Sequence, residues 1–152
     1  YVGDYNNVAR SLAQTCALLG MNVRLGCPIG YQAEDGEMEA LQKLGAGSVA
    51  QFENIHDAVH GAHAVHTDVW TSMGQESETS KREKSFANFQ VTESVMKDAE
   101  VGAVFMHCLP AHRGMEVAAE VIDGPRSKVF EQAHNRMHAA RGLLAFLMGV
   151  NA

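Results

Sequence analysis

Cysteine is scarce in this 152-residue chain: Cys16, Cys27 and Cys108, with no CxxC spacing. Neither a disulfide framework nor a cysteine-based zinc site can be read from that number and placement, and reduced thiols in the cytoplasm are expected. An excess of basic residues is also lacking. Lys and Arg total 12 against 18 Asp and Glu, for a formal charge of −6, which argues against nucleic acid or an anionic membrane as main partner. No run approaches the roughly 18 apolar residues of a membrane span, and the N-terminus has no basic segment leading into an apolar one. A GxxxxGK[ST] phosphate loop is absent too, and the glycine-rich Leu44–Ser48 precedes an expected strand, whereas a dinucleotide fingerprint must follow one.

What remains is a chain with 46% hydrophobic and 20% charged residues, sufficient for one domain with a core. Helical and extended signals alternate, predicting an α/β fold: a doubly wound, Rossmann-like parallel sheet of about five strands with helices on both faces. Strands are expected at Tyr1–Gly3, Asn22–Cys27, Ser48–Phe52, Ala64–Val69 and Ala103–Leu109, with a short one at Lys128–Phe130. Helices are expected at Asn7–Leu19 (Val8, Leu12, Cys16 and Leu19 inward), Glu34–Leu44, Ile55–Val59, Phe86–Asp98, Met115–Ile122 and Ala133–Met148, the last giving Leu143, Leu144 and Leu147 to the core. The polar run Gln75–Ser85 reads as a solvated helix or a moving lid. The opening Tyr1-Val2, without Met, resembles the tail of a longer strand, so a fragment or processed domain is expected.

Ligands of open α/β sheets bind beyond the carboxyl ends of the strands. The polar residues expected there are Asp4, Asn6 and Asn7, then Asp68 and Ser72, then His107 and Cys108. Amides and hydroxyls can hold a carboxylate and Asp68 an ammonium, so a zwitterionic amino acid would fit. Each also has a plainer reading: Asn7 as helix cap, Asp68 as turn residue, Cys108 as inert packing. His56-Asp57-Ala58-Val59-His60 has the two-histidine spacing of zinc enzymes but lacks the Glu, and its helix breaks at Gly61; no metal and no cofactor are expected.

The segments GDYNNVARSL, DVWTSMGQE, MHCLPAHRG and VFEQAHNRMHAARGLL resemble, in order and spacing, the carboxyl-terminal, ornithine-binding half of the ornithine carbamoyltransferases. Ser72-Met73-Gly74 together with His107-Cys108-Leu109-Pro110 carries most of that resemblance. It implies transfer of the carbamoyl group of carbamoyl phosphate to the δ-amine of L-ornithine, giving citrulline and phosphate in arginine metabolism. It also implies roles: Asn7, beside Asn6, for the ornithine carboxylate; Asp68 for the α-ammonium; Ser72 and the Met73 backbone in a closing loop. Cys108 and the Leu109 carbonyl would lie against the δ-amine, and Arg136 at the carbamoyl oxygen. The family's Ser-Thr-Arg-Thr-Arg type motif, which holds carbamoyl phosphate in a separate amino-terminal domain, does not occur here. The chain is thus expected to be one ornithine-binding domain, inactive alone, whose family is usually homotrimeric. Arg113 is a further basic residue expected near the cleft. Tyr5 and His134 differ from the residues usual at their positions. Two other functions stay open: a non-catalytic module binding a basic amino acid, and a carbamoyltransferase for another amine such as putrescine.

Overall fold

A computed structural model describes residues 1–72 and 74–150. Caps set many of its boundaries. The Asn6 side chain accepts from the N–H groups of Val8 and Ala9 and starts α1 (Asn7–Leu18). Asn54 does the same for α3 (Ile55–Val59) through His56 and Asp57, and Thr92 caps α5 (Glu93–Asp98) through Val95. The remaining helices are α2 (Asp35–Gln42), α4 (Thr79–Phe86), α6 (Ala119–Ile122) and α7 (Val129–Leu147), with single 3-10 turns at Glu76–Glu78 and Ala87–Phe89.

Among the described residues, four regular strands form two parallel pairs, not the expected five-stranded sheet. β1 (Val23–Gly26) pairs with β2 (Val49–Phe52), and β3 (Ala64–Thr67) with β4 (Val104–His107). The expected first strand is reduced to Val2, which bridges Gly26 on one side and Thr67 on the other and so joins the pairs. The expected strand at Lys128–Phe130 is one bridge at Ser127 against Phe105, because α7 begins at Val129. Gly26 is required at the join: a Cβ there would come within 2.8 Å of the Ala58 Cβ.

One core lies around β3 and β4, where Val2, Val65 and Phe105 meet α3, α5 and α6, with Phe86, Phe89 and Trp70 over its edge. The other lies between β1, β2, α1 and α2. Here α1 buries Ala9, Ala13 and Ala17 in place of the larger face expected. Val8, Leu12 and Cys16 flank that stripe, while Leu19 is 71% exposed past the helix end. Three methyl groups at four-residue spacing let the helix axis come close to the sheet.

Three further expectations are corrected. The helix expected over 86–98 breaks at Gln90 and Val91, where Val91 exchanges backbone hydrogen bonds with Glu116 and Ala118. Of Met115–Ile122 only Ala119–Ile122 is helical, since Gly114 N–H closes a turn on the Val117 carbonyl. Leu143, Leu144 and Leu147 lie on the surface, 59%, 59% and 70% exposed. No helix among the described residues is long and apolar enough to cross a membrane.

Candidate active site

β3 runs out into Asp68 and β4 into Cys108, and the pairing of Thr67 with His107 sets these two residues side by side. The Cys108 thiol donates to Asp68 Oδ1 at 2.9 Å. From the α1 side, Asn6 Nδ2 donates to Asp68 Oδ2 at 2.9 Å while its oxygen caps the helix. The Val69 N–H donates to Asp68 Oδ1 at 2.8 Å. Asp68 is thus a nearly buried carboxylate gripped from three directions, and Asn6, rather than Asn7, is the cap. That leaves Asn7 exposed at the helix start.

Cys108 is half-buried. Burial, followed by the bond to Asp68, pushes its thiol up to about 12, so at neutral pH sulfur carries its proton and acts as a donor. This environment favours the thiol over the thiolate. The next residue, Leu109, has φ +59° and precedes a cis bond to Pro110. Left-handed backbone is strained for leucine. Its N–H is held by His107 Nδ1 at 2.8 Å, and His107 Nε2 faces Glu116 Oε1 at 3.3 Å. Both are buried. Together His107 and Glu116 hold the turn that carries Cys108.

Beyond Asn6 opens a cavity of about 810 Å³ that reaches Asn7 and Ser72 but does not itself include Asp68 or Cys108; its walls are Asp4, Tyr31, Gln75 and Arg82. Ser72 N–H donates to the Gln75 side chain at 3.1 Å. Met73 lies outside the described residues. The roof, α4, is not a solvated helix throughout. Arg82 is buried, donating to Asp4 Oδ2 at 2.7 Å and to the Trp70 carbonyl at 2.9 Å, with its guanidinium over the Tyr31 ring. One side chain thereby ties the GDYNN turn to both ends of the Ser72 loop. Arg82→Met would leave Asp4 an unpaired, largely buried charge, worth about 3 to 5 kcal/mol. Amide exchange over residues 74–86 should then quicken at least tenfold, with β4 unchanged, as read by exchange mass spectrometry.

Tyr5 donates its hydroxyl to Glu37 Oε1 at 3.0 Å, where Arg10 also binds. Arg113 is not in this cluster: it pairs with Asp123 on the surface, beside a separate small cavity. Arg136 sits exposed on α7, near enough to Cys108 to lower its thiol slightly against the larger upward effects. His56 turns to Asp98 and not to His60. The ligand atoms of Asp68, His107 and Cys108 lie within 4.8 Å of one another. In this arrangement Cys108 donates to Asp68, while His107 Nδ1 accepts from the Leu109 N–H.

The family model for the aspartate/ornithine carbamoyltransferase Asp/Orn binding domain matches residues 1–147. The chain belongs to the aspartate/ornithine carbamoyltransferase family. Within that family it is 53% identical over 152 residues to an ornithine carbamoyltransferase of Parasynechococcus marenigrum, covering 98% of this chain and 48% of that protein. It is 50% identical over 147 residues to the one from Geobacillus stearothermophilus, covering 95% and 47%. Among solved structures, ornithine carbamoyltransferase from Pyrococcus furiosus superposes with a TM-score of 0.91 at 44% identity, over all of this chain and 50% of that one. The anabolic enzyme of Campylobacter jejuni gives 0.89 at 31% identity, over 98% and 50%. This family member spans about half the length of the curated relatives it matches.

Sequence reasoning did not find Arg82, Glu116 or Gln132, the last of which accepts from the His107 N–H. Arg82 had a legible signal. It lies four residues before Phe86, on the same side of a helix. Glu116 and Gln132 carry no pattern that separates them from surface residues.

Proposed function

We propose that this chain is the amino-acid half of an ornithine carbamoyltransferase, transferring the carbamoyl group of carbamoyl phosphate to the δ-amine of L-ornithine to give L-citrulline and phosphate. The observation that carries the reading is the Asn6–Asp68–Cys108 cluster at the ends of β3 and β4, next to a polar cavity reaching Asn7 and Ser72. An amino acid laid across it would place its carboxylate at Asn7, with Asn6 alongside, and its α-ammonium at Asp68. Ser72 and Met73 would close the loop over it. The Leu109 carbonyl and the Cys108 thiol would meet the δ-amine.

The chemistry requires a free amine, because an alkylammonium near pKa 10 has no lone pair to attack with. A protonated Cys108 thiol adds no negative charge beside that nitrogen to favour its ammonium form. The amine attacks the carbonyl carbon, and Arg136 stabilises the oxyanion that develops. The carbon–oxygen bond to phosphate then breaks, phosphate leaves with the electron pair, and the amine passes its extra proton to the departing phosphate. Cys108 steers without forming a covalent bond. The donors for carbamoyl phosphate come, in this reading, from a separate amino-terminal domain. The large exposed side chains of Phe146 and Leu147 on α7 and of Met148 just past its end offer that domain an apolar seat. The two strand pairs, joined through Val2, are read as one continuous doubly wound sheet in the intact protein. The intact protein is read as a cytoplasmic homotrimer using no cofactor or metal; sedimentation checks the assembly.

The test is steady-state citrulline formation by the complete protein, with putrescine as competitor amine, and calorimetric titration of ornithine. Saturable citrulline formation is expected, with putrescine disfavoured by at least a hundredfold because, although its second ammonium could meet Asp68, it has no carboxylate to offer Asn7 and Asn6. Equal use of putrescine, or ornithine binding without turnover when carbamoyl phosphate is present, would overturn it.

A further inference from the structure

Gln132 lies in the first turns of α7 and touches neither cavity nor thiol, yet its amide is spent entirely on the carboxyl ends of β3 and β4. Oε1 accepts from the His107 N–H at 3.0 Å, and Nε2 lies 3.0 Å from His66 Nε2. The backbone N–H can only donate, so it fixes the amide's orientation. Nε2 must then donate, and His66 must present a lone pair at Nε2 and carry its proton at Nδ1. His66 is buried against the Tyr1 ring, an environment that suits a neutral imidazole.

The three tied segments each lead directly into the candidate site. His66 is two residues before Asp68, His107 is one before Cys108, and Gln132 is one helical turn before Arg136. α7 has little else to hold it there. Val129 is buried in its first turn, but from Ala133 to Leu144 every residue is exposed. Gln132 is therefore the last anchored residue before Arg136.

We infer that Gln132 is a positioning residue, clamping α7 to the ends of β3 and β4 so that Arg136 is set opposite the Asp68–Cys108 pair. Only the kinetic consequence rests on the ornithine reading. Nitrogen-15 NMR of the imidazoles tests the clamp without substrate. His66 is expected as the Nδ1–H tautomer, and Gln132→Glu should convert it to Nε2–H, because a carboxylate only accepts. A parent protein with His66 as Nε2–H, or a tautomer indifferent to Gln132→Glu, overturns the clamp.

The kinetic arm uses the complete protein. Gln132→Met is expected to lower kcat for citrulline formation at least tenfold while KM for ornithine stays within threefold, since no proposed carboxylate or α-ammonium contact sits on α7. Gln132→Glu, which keeps the acceptor for His107, should recover part of that loss. It also carries the test if the methionine variant does not fold. Unchanged kcat in the variants, with the tautomer as expected, overturns the positioning role alone. Absence of citrulline formation by the parent protein overturns the ornithine reading and leaves the tautomer result to decide the clamp.

Discussion

Asp68→Ala in the complete protein should cut kcat/KM for ornithine by on the order of a thousandfold, with KM for carbamoyl phosphate within about threefold. Removing one partner of a buried, hydrogen-bonded charge pair costs about 2 to 5 kcal/mol, and each 1.4 kcal/mol is a factor of ten. The carboxylate would serve the α-ammonium directly, and it also fixes the Cys108 thiol and the Asn6 amide. A second readout is independent of substrate. With the carboxylate gone, one of the influences raising the Cys108 pKa disappears, so the thiolate fraction at pH 8.5 rises and iodoacetamide modifies Cys108 faster, resolved from Cys16 and Cys27 by peptide mapping. The loss of kcat/KM should therefore accompany a gain in thiol reactivity. A variant that loses activity without that gain would show Asp68 to act on ornithine alone.

Phe86→Ala should be the most damaging single truncation for folding, at about 3 to 5 kcal/mol. Its ring is fully buried and meets Tyr31 at 4.7 Å, Trp70 at 5.8 Å and Phe89 at 6.5 Å between centroids. Aromatic contacts of this kind add to the area term, and a cavity left among three rings closes poorly. For a domain of this size the midpoint of thermal unfolding should fall by about 10 °C, measurable by calorimetry. The effect reaches the candidate site as well, because Phe86 ends α4 and Tyr31 lies beneath Arg82. Loss of the ring removes the apolar half of what holds the cavity roof.

Much of this was legible in the residues. Val23–Gly26, Val49–Phe52 and Ala64–Thr67 lie inside the strands expected from apolar runs, and Ile55–Val59 matches the short helix expected there. Asn6, Asp68 and Cys108 were placed together by the rule that chemistry gathers beyond strand ends, and the structure brings those three within hydrogen-bonding distance. What failed did so for physical reasons. Periodicity gives α1 its larger apolar residues as a core face, but close approach to the sheet selects the alanines. The last turns of α7 read as core because leucine is apolar, although no described element covers them. Arg82 shares a helix side with Phe86, which was its legible signal, but the charged run around it gave no sign of its partner, Asp4, 78 residues away.

The uncovered end of α7 also governs how this chain behaves in a test tube. Leu143, Leu144, Phe146, Leu147, Met148 and Val150 are all more than half exposed within eight residues, a greasy strip on an otherwise acidic surface. Net charge of −6 keeps molecules apart at low salt. Once ions screen it, within about 8 Å at physiological strength, little opposes contact between strips. Solubility of the 152-residue chain is thus a matter of salt and protein concentration as much as of folding stability.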